Sequence, residues 1–166
     1  MKMRWQFGVV AAIIALLSVI IFVPRGSSTH EELYADYFHP HEDVILVNGE
    51  GDQRLFAEGM DAYNAEDFKK AADLIQQYLN TGALDVNAQF YLGIALIECG
   101  RATEGVQYLG NVVNSRNMLI EHAQWYRALG LLKLNRMGEC KTLLKQIDKD
   151  GHDHQREAQE LLKKLE

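Results

Sequence analysis

The chain has 166 residues, of which 17 are basic and 23 are acidic, so its formal net charge is −6. This length suffices for one globular domain and a terminal appendage. An acidic balance without a stripe of basic and aromatic residues argues against nucleic acid as a partner. The sequence lacks a phosphate-binding glycine-rich loop, a His-Glu-x-x-His motif and a nucleophile elbow, so we expect no enzyme, no cofactor and no small-molecule substrate.

The first candidate element is an uncharged apolar run from Phe7 to Val23. With its neighbours it gives about 20 residues, or roughly 30 Å of helix, which is enough to cross a bilayer. We therefore predict a transmembrane helix over residues 7–24, preceded by a cytoplasmic N-terminus over residues 1–6. The alternative is a cleaved signal peptide, but Arg25 separates the run from the poor cleavage site at Gly26-Ser27-Ser28.

The flanking charges predict the orientation of this helix. Lys2 and Arg4 precede the run, whereas Arg25 is the only basic residue between it and Arg54. Basic flanks favour the cytoplasmic side of a membrane. We therefore expect the N-terminus to stay inside the cell and the rest of the chain to cross.

Residues 25–52 are predicted to form a juxtamembrane linker with a short helix. The stretch from Thr29 to Glu32 matches a capping box, which starts a helix that runs to about Phe38 and ends before Pro40. The aromatic side chains of this helix could hold the following domain at a set height above the bilayer or dock onto another membrane subunit. The run Val44–Val47 is expected to be extended at best.

Helical periodicity dominates from residue 53 onward and predicts a repeat domain over residues 53–166. The predicted hairpins pair helices 53–64 with 67–80, 86–98 with 102–113, and 118–134 with 138–148. A last amphipathic helix over 154–166, with Asp153 as its N-cap, would cap the stack. The segment Ala88–Gly93 returns as Ala123–Ala128 and has a weaker copy at Arg54–Gly59, a period of 34–35 residues typical of stacked helical hairpins.

Small residues recur at equivalent positions of the three hairpins. They are Gly59, Gly93 and Ala128 in the first helices and Ala71, Gly105 and Cys140 in the second helices. The equivalent turn position holds Glu66, Gly100 and Asn135. This pattern resembles tetratricopeptide repeats (TPR), although the usual Trp is replaced by an aromatic one position later and the usual Pro is absent. The resemblance implies an all-α solenoid of three TPR-like hairpins plus a capping helix. Gly105 and Gly110 lie inside one helix and would weaken the second hairpin.

The resemblance also implies a binding groove lined by the first helix of each repeat. Carried over by position, it places fifteen residues in the groove, of which nine form the predicted site: Phe56, Met60, Tyr63, Asn87, Phe90, Ile94, His122, Trp125 and Leu129. The other six are Gln53, Asn64, Ile97, Glu98, Leu132 and Lys133. Three aromatic side chains and few charges would suit an extended or helical peptide with apolar anchors. The alternative is that the one-position shift places the aromatic residues in the core, and the sequence leaves both readings open.

The layout as a whole resembles bacterial single-pass proteins that carry such repeats outside the inner membrane. It implies a membrane-anchored scaffold or adaptor that binds a protein or peptide partner on the periplasmic side. One alternative is a structural subunit of a larger membrane assembly, docked through its transmembrane and juxtamembrane segments. Another is a soluble periplasmic repeat protein released by signal-peptide cleavage.

The histidines and cysteines do not predict a metal site. His39 and His41 beside Glu42 have metal-binding side chains, but a local loop seldom supplies about four ligands with their supporting contacts. His152 and His154 precede the last helix, where a polar cap-region role is the simpler interpretation. Cys99 and Cys140 are expected to pack as small apolar side chains.

Overall fold

The computed structural model describes residues 29–42, 50–151 and 153–166, and the regular secondary structure in these residues is entirely α-helical. In chain order the helices are α1 (His30–Tyr37), α2 (Gln53–Asn64), α3 (Phe68–Asn80), α4 (Val86–Glu98), α5 (Ala102–Val113), α6 (Ile120–Lys133), α7 (Met137–Asp150) and α8 (Gln155–Leu165). The predicted all-α class is confirmed for the described residues, and the predicted helices that fall within them differ from these bounds by two residues or fewer at each end.

The capping box that starts α1 is present. The Glu32 amide donates a hydrogen bond of 3.2 Å to the Thr29 hydroxyl, and the Thr29 amide donates one of 2.9 Å to the Glu32 carboxylate. These two bonds satisfy backbone donors that the first turn of a helix leaves free. A helix of only eight residues therefore has a defined start.

From α2 onward each helix packs against the next one in the chain, so that α2–α3, α4–α5 and α6–α7 form hairpins and α8 covers α7. The middle of this stack is α4, in which every residue from Phe90 to Ile97 is buried. A helix that is apolar all round needs neighbours on all sides. These neighbours are α3 and α5, together with α2 and α6. The core is therefore continuous through the stack.

The three hairpin turns share one backbone geometry. Glu66, Gly100 and Asn135 have φ values of 58°, 89° and 56°, in the left-handed region. The next amide in each turn donates to the carbonyl five residues back, from Asp67, Arg101 and Arg136, at 2.9, 2.8 and 2.9 Å. This is the Schellman arrangement that closes a helix at a left-handed residue. The repeat found in the sequence is therefore also a repeat of turn geometry.

Glycines allow α4 and α5 to approach closely. A Cβ atom on Gly105 would collide with the Gly93 carbonyl oxygen and lie 2.7 Å from Cγ1 of Ile97. A Cβ atom on Gly110 would meet nothing nearer than Nε of Arg127, at 3.7 Å. The low helix propensity of Gly105 is thus offset by a contact that no larger residue permits, whereas Gly110 has no such compensation.

The predicted N-cap of the last helix is wrong. His154, not Asp153, is the cap residue, with φ at 66° and no side-chain cap bond. Asp153 is engaged elsewhere: its amide donates to the Glu121 carboxylate at 3.1 Å, and its carboxylate lies 3.7 Å from Nε2 of His122. These contacts with α6 take Asp153 away from the first turn of α8.

Both cysteines are free thiols. Cys140 is fully buried on α7, and burial raises the pKa of its thiol to about 11. A thiol that stays protonated at neutral pH is a poor nucleophile. Cys140 therefore packs as the small apolar side chain that its repeat position requires.

Several sequence predictions concern residues 1–28, 43–49 and 152, which lie outside the described residues. They include the transmembrane helix, its orientation and the extended run Val44–Val47. Among the helices that the structure describes, none is both long and apolar enough to cross a membrane.

Candidate interaction groove

Residues 30–42, here called the strap, lie against the first helices of the three hairpins. The strap contacts one surface, here called the docking face. This face is formed by Tyr63 of α2, Phe90, Tyr91 and Glu98 of α4, and His122, Trp125, Tyr126 and Lys133 of α6. The region where the resemblance places a peptide groove therefore holds a segment of the same chain.

The helical half of the strap is held by one partly buried polar contact. The Tyr34 hydroxyl donates a hydrogen bond of 2.5 Å to Oε1 of Glu98, and Nζ of Lys133 lies 2.7 Å from the same oxygen. Nζ of Lys133 also lies 4.3 Å from the centroid of the Tyr34 ring, a cation–π distance. Leu33 and Tyr34 are 2% and 6% exposed, whereas the side chains of Glu98 and Lys133 are 19% and 30% exposed. The network is therefore partly shielded from solvent, which strengthens it relative to a fully exposed pair.

Aromatic pairs continue the contact along α1. Tyr37 meets Trp125 edge to face at 6.3 Å between ring centroids, and Phe38 meets Tyr126 at 6.1 Å. Such edge-to-face pairs are each worth about 0.5–1.5 kcal/mol beyond the area they bury. The outer side of the strap helix is closed by Lys164 of α8, whose Nζ lies 4.8 Å from the Tyr37 ring centroid.

The extended half of the strap is bound through its backbone and through the His41 ring. The Tyr126 hydroxyl donates to the carbonyl of His39 at 2.7 Å, and the amide of His41 donates to the Tyr63 hydroxyl at 3.1 Å. Pro40 lies between these two bonds and keeps the chain out of helical geometry. Two tyrosines thus satisfy one acceptor and one donor of a segment that has no secondary structure.

Burial raises the pKa of three hydroxyls on this interface well above the ordinary value, those of Tyr34, Tyr63 and Tyr126. For Tyr34 the bond to the Glu98 carboxylate raises the pKa further. A hydroxyl buried beside a carboxylate stays protonated because its anion would lose hydration and gain a like charge. The hydroxyls therefore act as hydrogen-bonding groups at neutral pH.

Three histidines from three elements meet at the far end of the strap. The His41 ring lies 4.6 Å from that of His122 between centroids, and Nδ1 of His122 lies 3.0 Å from Nε2 of His154. Burial, and then the nearby His122, lower the pKa of His154, whose ring stacks on Trp125 at 5.2 Å. Among the described residues no group of three or more His, Cys, Asp or Glu side chains is arranged to hold a metal ion.

The nine predicted groove residues do not share one environment. Phe90, His122, Trp125 and Tyr63 contact the strap. Phe56 is 3% exposed and stacks on Tyr78 of its own hairpin at 5.3 Å, so it belongs to the core. Met60, Ile94 and Leu129 are also buried, and Asn87 is exposed. That these residues bind a partner stays a prediction.

The nine residues omit much of the docking face. Tyr126 occupies the position equivalent to Tyr91, one residue after the predicted aromatic, and Glu98 and Lys133 end their helices as an equivalent pair. The repetition of Tyr91 as Tyr126 at a 35-residue interval is the signal that could have identified these two tyrosines. Glu98 and Lys133 are among the groove positions that the resemblance implies. The sequence also indicates that the strap helix buries one face, since its apolar residues recur at helical spacing. These residues are Leu33, Tyr34, Tyr37 and Phe38.

The surface hollows that we find elsewhere are shallow. One of about 240 Å³ lies between α6 and α7 and is lined by Arg127, Leu131 and Glu139, among others.

Comparison of the chain with protein-family models and with curated proteins gave no match.

Proposed function

We propose that this protein is a membrane-anchored TPR-like scaffold or adaptor that mediates protein–protein interactions on the periplasmic side of the inner membrane. The repeated turn geometry at Glu66, Gly100 and Asn135 supports the TPR-like solenoid. The close packing at Gly59, Gly93 and Gly105 supports it too. Stacks of this kind bury each hairpin only against its neighbours and present extended surfaces to other proteins.

One observation carries the proposal: the docking face binds a segment with helix-in-groove chemistry. Apolar side chains of α1 enter the face, two tyrosine hydroxyls bind the backbone beyond it, and a lysine contacts an aromatic ring. This combination is how helical-repeat and other groove proteins recognise peptides. The face is thus suited to protein segments and not to small molecules.

The position of the strap supports a particular geometry of anchoring. Five residues, 25–29, separate the predicted transmembrane helix from the strap, and they can span at most about 18 Å at 3.3–3.6 Å per residue. The strap begins beside Glu98 and Lys133, at the ends of α4 and α6. We infer that this end of the repeat stack faces the membrane and that the repeats are held close to it.

Crosslinking in intact membranes tests the adaptor role. A photo-reactive amino acid replaces Asn87, an exposed residue at the start of α4, and in a control it replaces Gln77, exposed on α3. We expect adducts with another membrane or periplasmic protein from position 87 but not from position 77. If the protein is present at normal abundance and neither position gives adducts, the adaptor role is contradicted. If the protein is lost when the membranes are washed, anchoring is contradicted.

A structural subunit of a larger membrane assembly is the second candidate. It is favoured by the observation that the docking face is already occupied, which leaves other surfaces for partners. Leu84 and Met118, both 96% exposed, lie in equivalent loops of successive hairpins. In that case adducts should come from positions 84 and 118 and not from position 87.

A further inference from the structure

We propose that the strap is a resident ligand that keeps the docking face closed, and that the face takes in its place a segment of another protein with the same chemistry. That segment is a short acidic helix with Leu and aromatic side chains on one face, followed by an extended stretch with a proline. This inference deepens the proposed function, because it names the ligand class and the regulation of the same face.

The first argument is that the strap is recognised as a ligand would be. Glu31, Glu32 and Asp36 make α1 acidic, and the strap helix is flanked by Lys133 and Lys164. Nζ of Lys164 lies 3.6 Å from the Asp36 carboxylate. Lysines thus contact both tyrosines of α1 and one of its carboxylates. Charge and shape together would select an acidic aromatic helix over a basic one.

The second argument is that two hydrogen bonds of the extended half do not depend on strap side chains. Tyr126 and Tyr63 bind the carbonyl of His39 and the amide of His41, groups that every peptide offers. Any extended segment that follows a suitable helix can make these two bonds. The side-chain requirement therefore lies mainly in the helix, at the positions of Leu33, Tyr34, Tyr37 and Phe38. In the extended half it lies at His41, whose ring packs against docking-face rings.

The third argument is that the strap stands apart from the stack. Helices α2 to α8 pack each against the next, whereas α1 packs mainly against α6. A helix of eight residues is not stable by itself in water, so docking and folding of α1 are coupled. An element of this kind can leave without interrupting the sequence of helix contacts that forms the core.

A tethered competitor lowers the apparent affinity of an incoming ligand for the docking face. A segment attached by a short linker acts at an effective concentration on the order of millimolar. The apparent dissociation constant of a free ligand is then its intrinsic value divided by the fraction of molecules with an open face. A substitution that undocks the strap should therefore tighten the binding of a free peptide with the same sequence.

The experiment uses full-length protein in lipid nanodiscs with Trp5→Phe, so that Trp125 is the only remaining tryptophan. A synthetic peptide of residues 29–42 is titrated while Trp125 fluorescence is read. Leu33→Asp places a charge on the buried side of α1, and Ala35→Asp places the same charge on its exposed side as the matched control. We expect Leu33→Asp to bind the peptide at least about tenfold more tightly than the control or the parent protein.

Several results would overturn the proposal. The face is not a ligand site if folded Leu33→Asp, checked by circular dichroism, does not bind the peptide. The strap is not a competitor if the control binds as tightly as Leu33→Asp. If Leu33→Asp does not fold, Tyr34→Phe decides, since loss of its hydroxyl bond to Glu98 should also tighten peptide binding. The proposal would also be contradicted if the parent protein were a dimer that the peptide dissociates. In that case the strap of each copy would bind the docking face of the other copy.

The titration contains only this chain and its peptide, so its failure would leave the anchoring and adaptor proposals untouched. Conversely, absence of crosslinked partners in cells would contradict the adaptor role without affecting competition for the face. The two proposals can therefore fail separately.

Discussion

Tyr34 and Glu98 lie 64 positions apart in the chain, and the hydroxyl of the first donates a 2.5 Å hydrogen bond to the carboxylate of the second. Lys133 shares that carboxylate from the next repeat. One acceptor thus joins the strap, the second hairpin and the third hairpin. The bond lies in the helical half of the strap, so it connects α1 to the repeat stack.

Loss of the Glu98 carboxylate should destabilise the protein. Glu98→Gln leaves Nζ of Lys133 without its ionic partner beside a buried tyrosine, and we expect a loss of about 1–3 kcal/mol in the free energy of unfolding. The control is Glu104→Gln, which removes an exposed ion pair with Arg101 and should change little. Urea denaturation at pH 7 measures both, and equal effects would show that the Glu98 contact is a surface pair.

Two glycines of α5 should respond in opposite directions to the same substitution. Gly105→Ala forces a methyl group against the Gly93 carbonyl and Ile97, and we expect it to destabilise the protein by about 1–3 kcal/mol. Gly110→Ala has room and gains helix propensity, which should add about 0.5–1 kcal/mol. Thermal denaturation followed by circular dichroism compares them. Similar destabilisation by both would mean that α4 and α5 are not in close contact at Gly105.

The turn at Glu66 should be improved by glycine. Glu66 has φ at 58°, a conformation that disfavours L-residues with a Cβ atom and suits glycine. We expect Glu66→Gly to stabilise the protein by about 0.5–1 kcal/mol, after allowance for the greater freedom of glycine in the unfolded chain. Glu58→Gly, in the exposed interior of α2, should instead cost about 1 kcal/mol. The midpoints of urea denaturation compare the two variants. If both variants were less stable than the parent protein, the left-handed conformation of Glu66 would be contradicted.

Stability should fall with acidification through His154. Burial lowers its pKa in the folded protein below the unfolded value of about 6.5. The unfolded chain therefore binds the proton first as pH falls, so the contribution of His154 is complete above about pH 6.5 and is lost as pH drops through the lower folded value. Urea midpoints between pH 8 and pH 5 should decline less steeply in His154→Gln. Identical slopes would show that His154 is not shielded as described.

The helices and turns of this fold were predictable because their causes are local. A 3.6-residue apolar period sets the helix bounds, and the capping box from Thr29 to Glu32 lies within four residues. The equivalence of Glu66, Gly100 and Asn135 was readable as a period of 34–35 residues. Asp153 was misassigned because its amide and carboxylate turn to Glu121 and His122, a tertiary contact that outweighs its cap propensity.

The occupied docking face was not predictable from local patterns. An aromatic stripe on α1 is consistent with bilayer contact, a partner subunit or the chain's own repeats, and only long-range contacts such as Phe38 on Tyr126 distinguish them. The choice between core and groove had the same difficulty. Phe56 and Phe90 occupy equivalent repeat positions, yet one stacks within its own hairpin and the other meets His41 of the strap.

The central claim is that residues 30–42 occupy the docking face of their own chain. Proton–proton nuclear Overhauser effects in the intact, isotope-labelled protein test it most directly. We predict cross-peaks between the Tyr34 ring and the Lys133 side chain, whose ammonium nitrogen lies 4.3 Å from the ring centroid. We also predict them between the His41 and Phe90 rings, 5.1 Å apart. The Phe56–Tyr78 pair, 5.3 Å apart inside one hairpin, serves as the internal control. Control cross-peaks without either strap contact would contradict the account, because the repeats would then be folded with the face unoccupied.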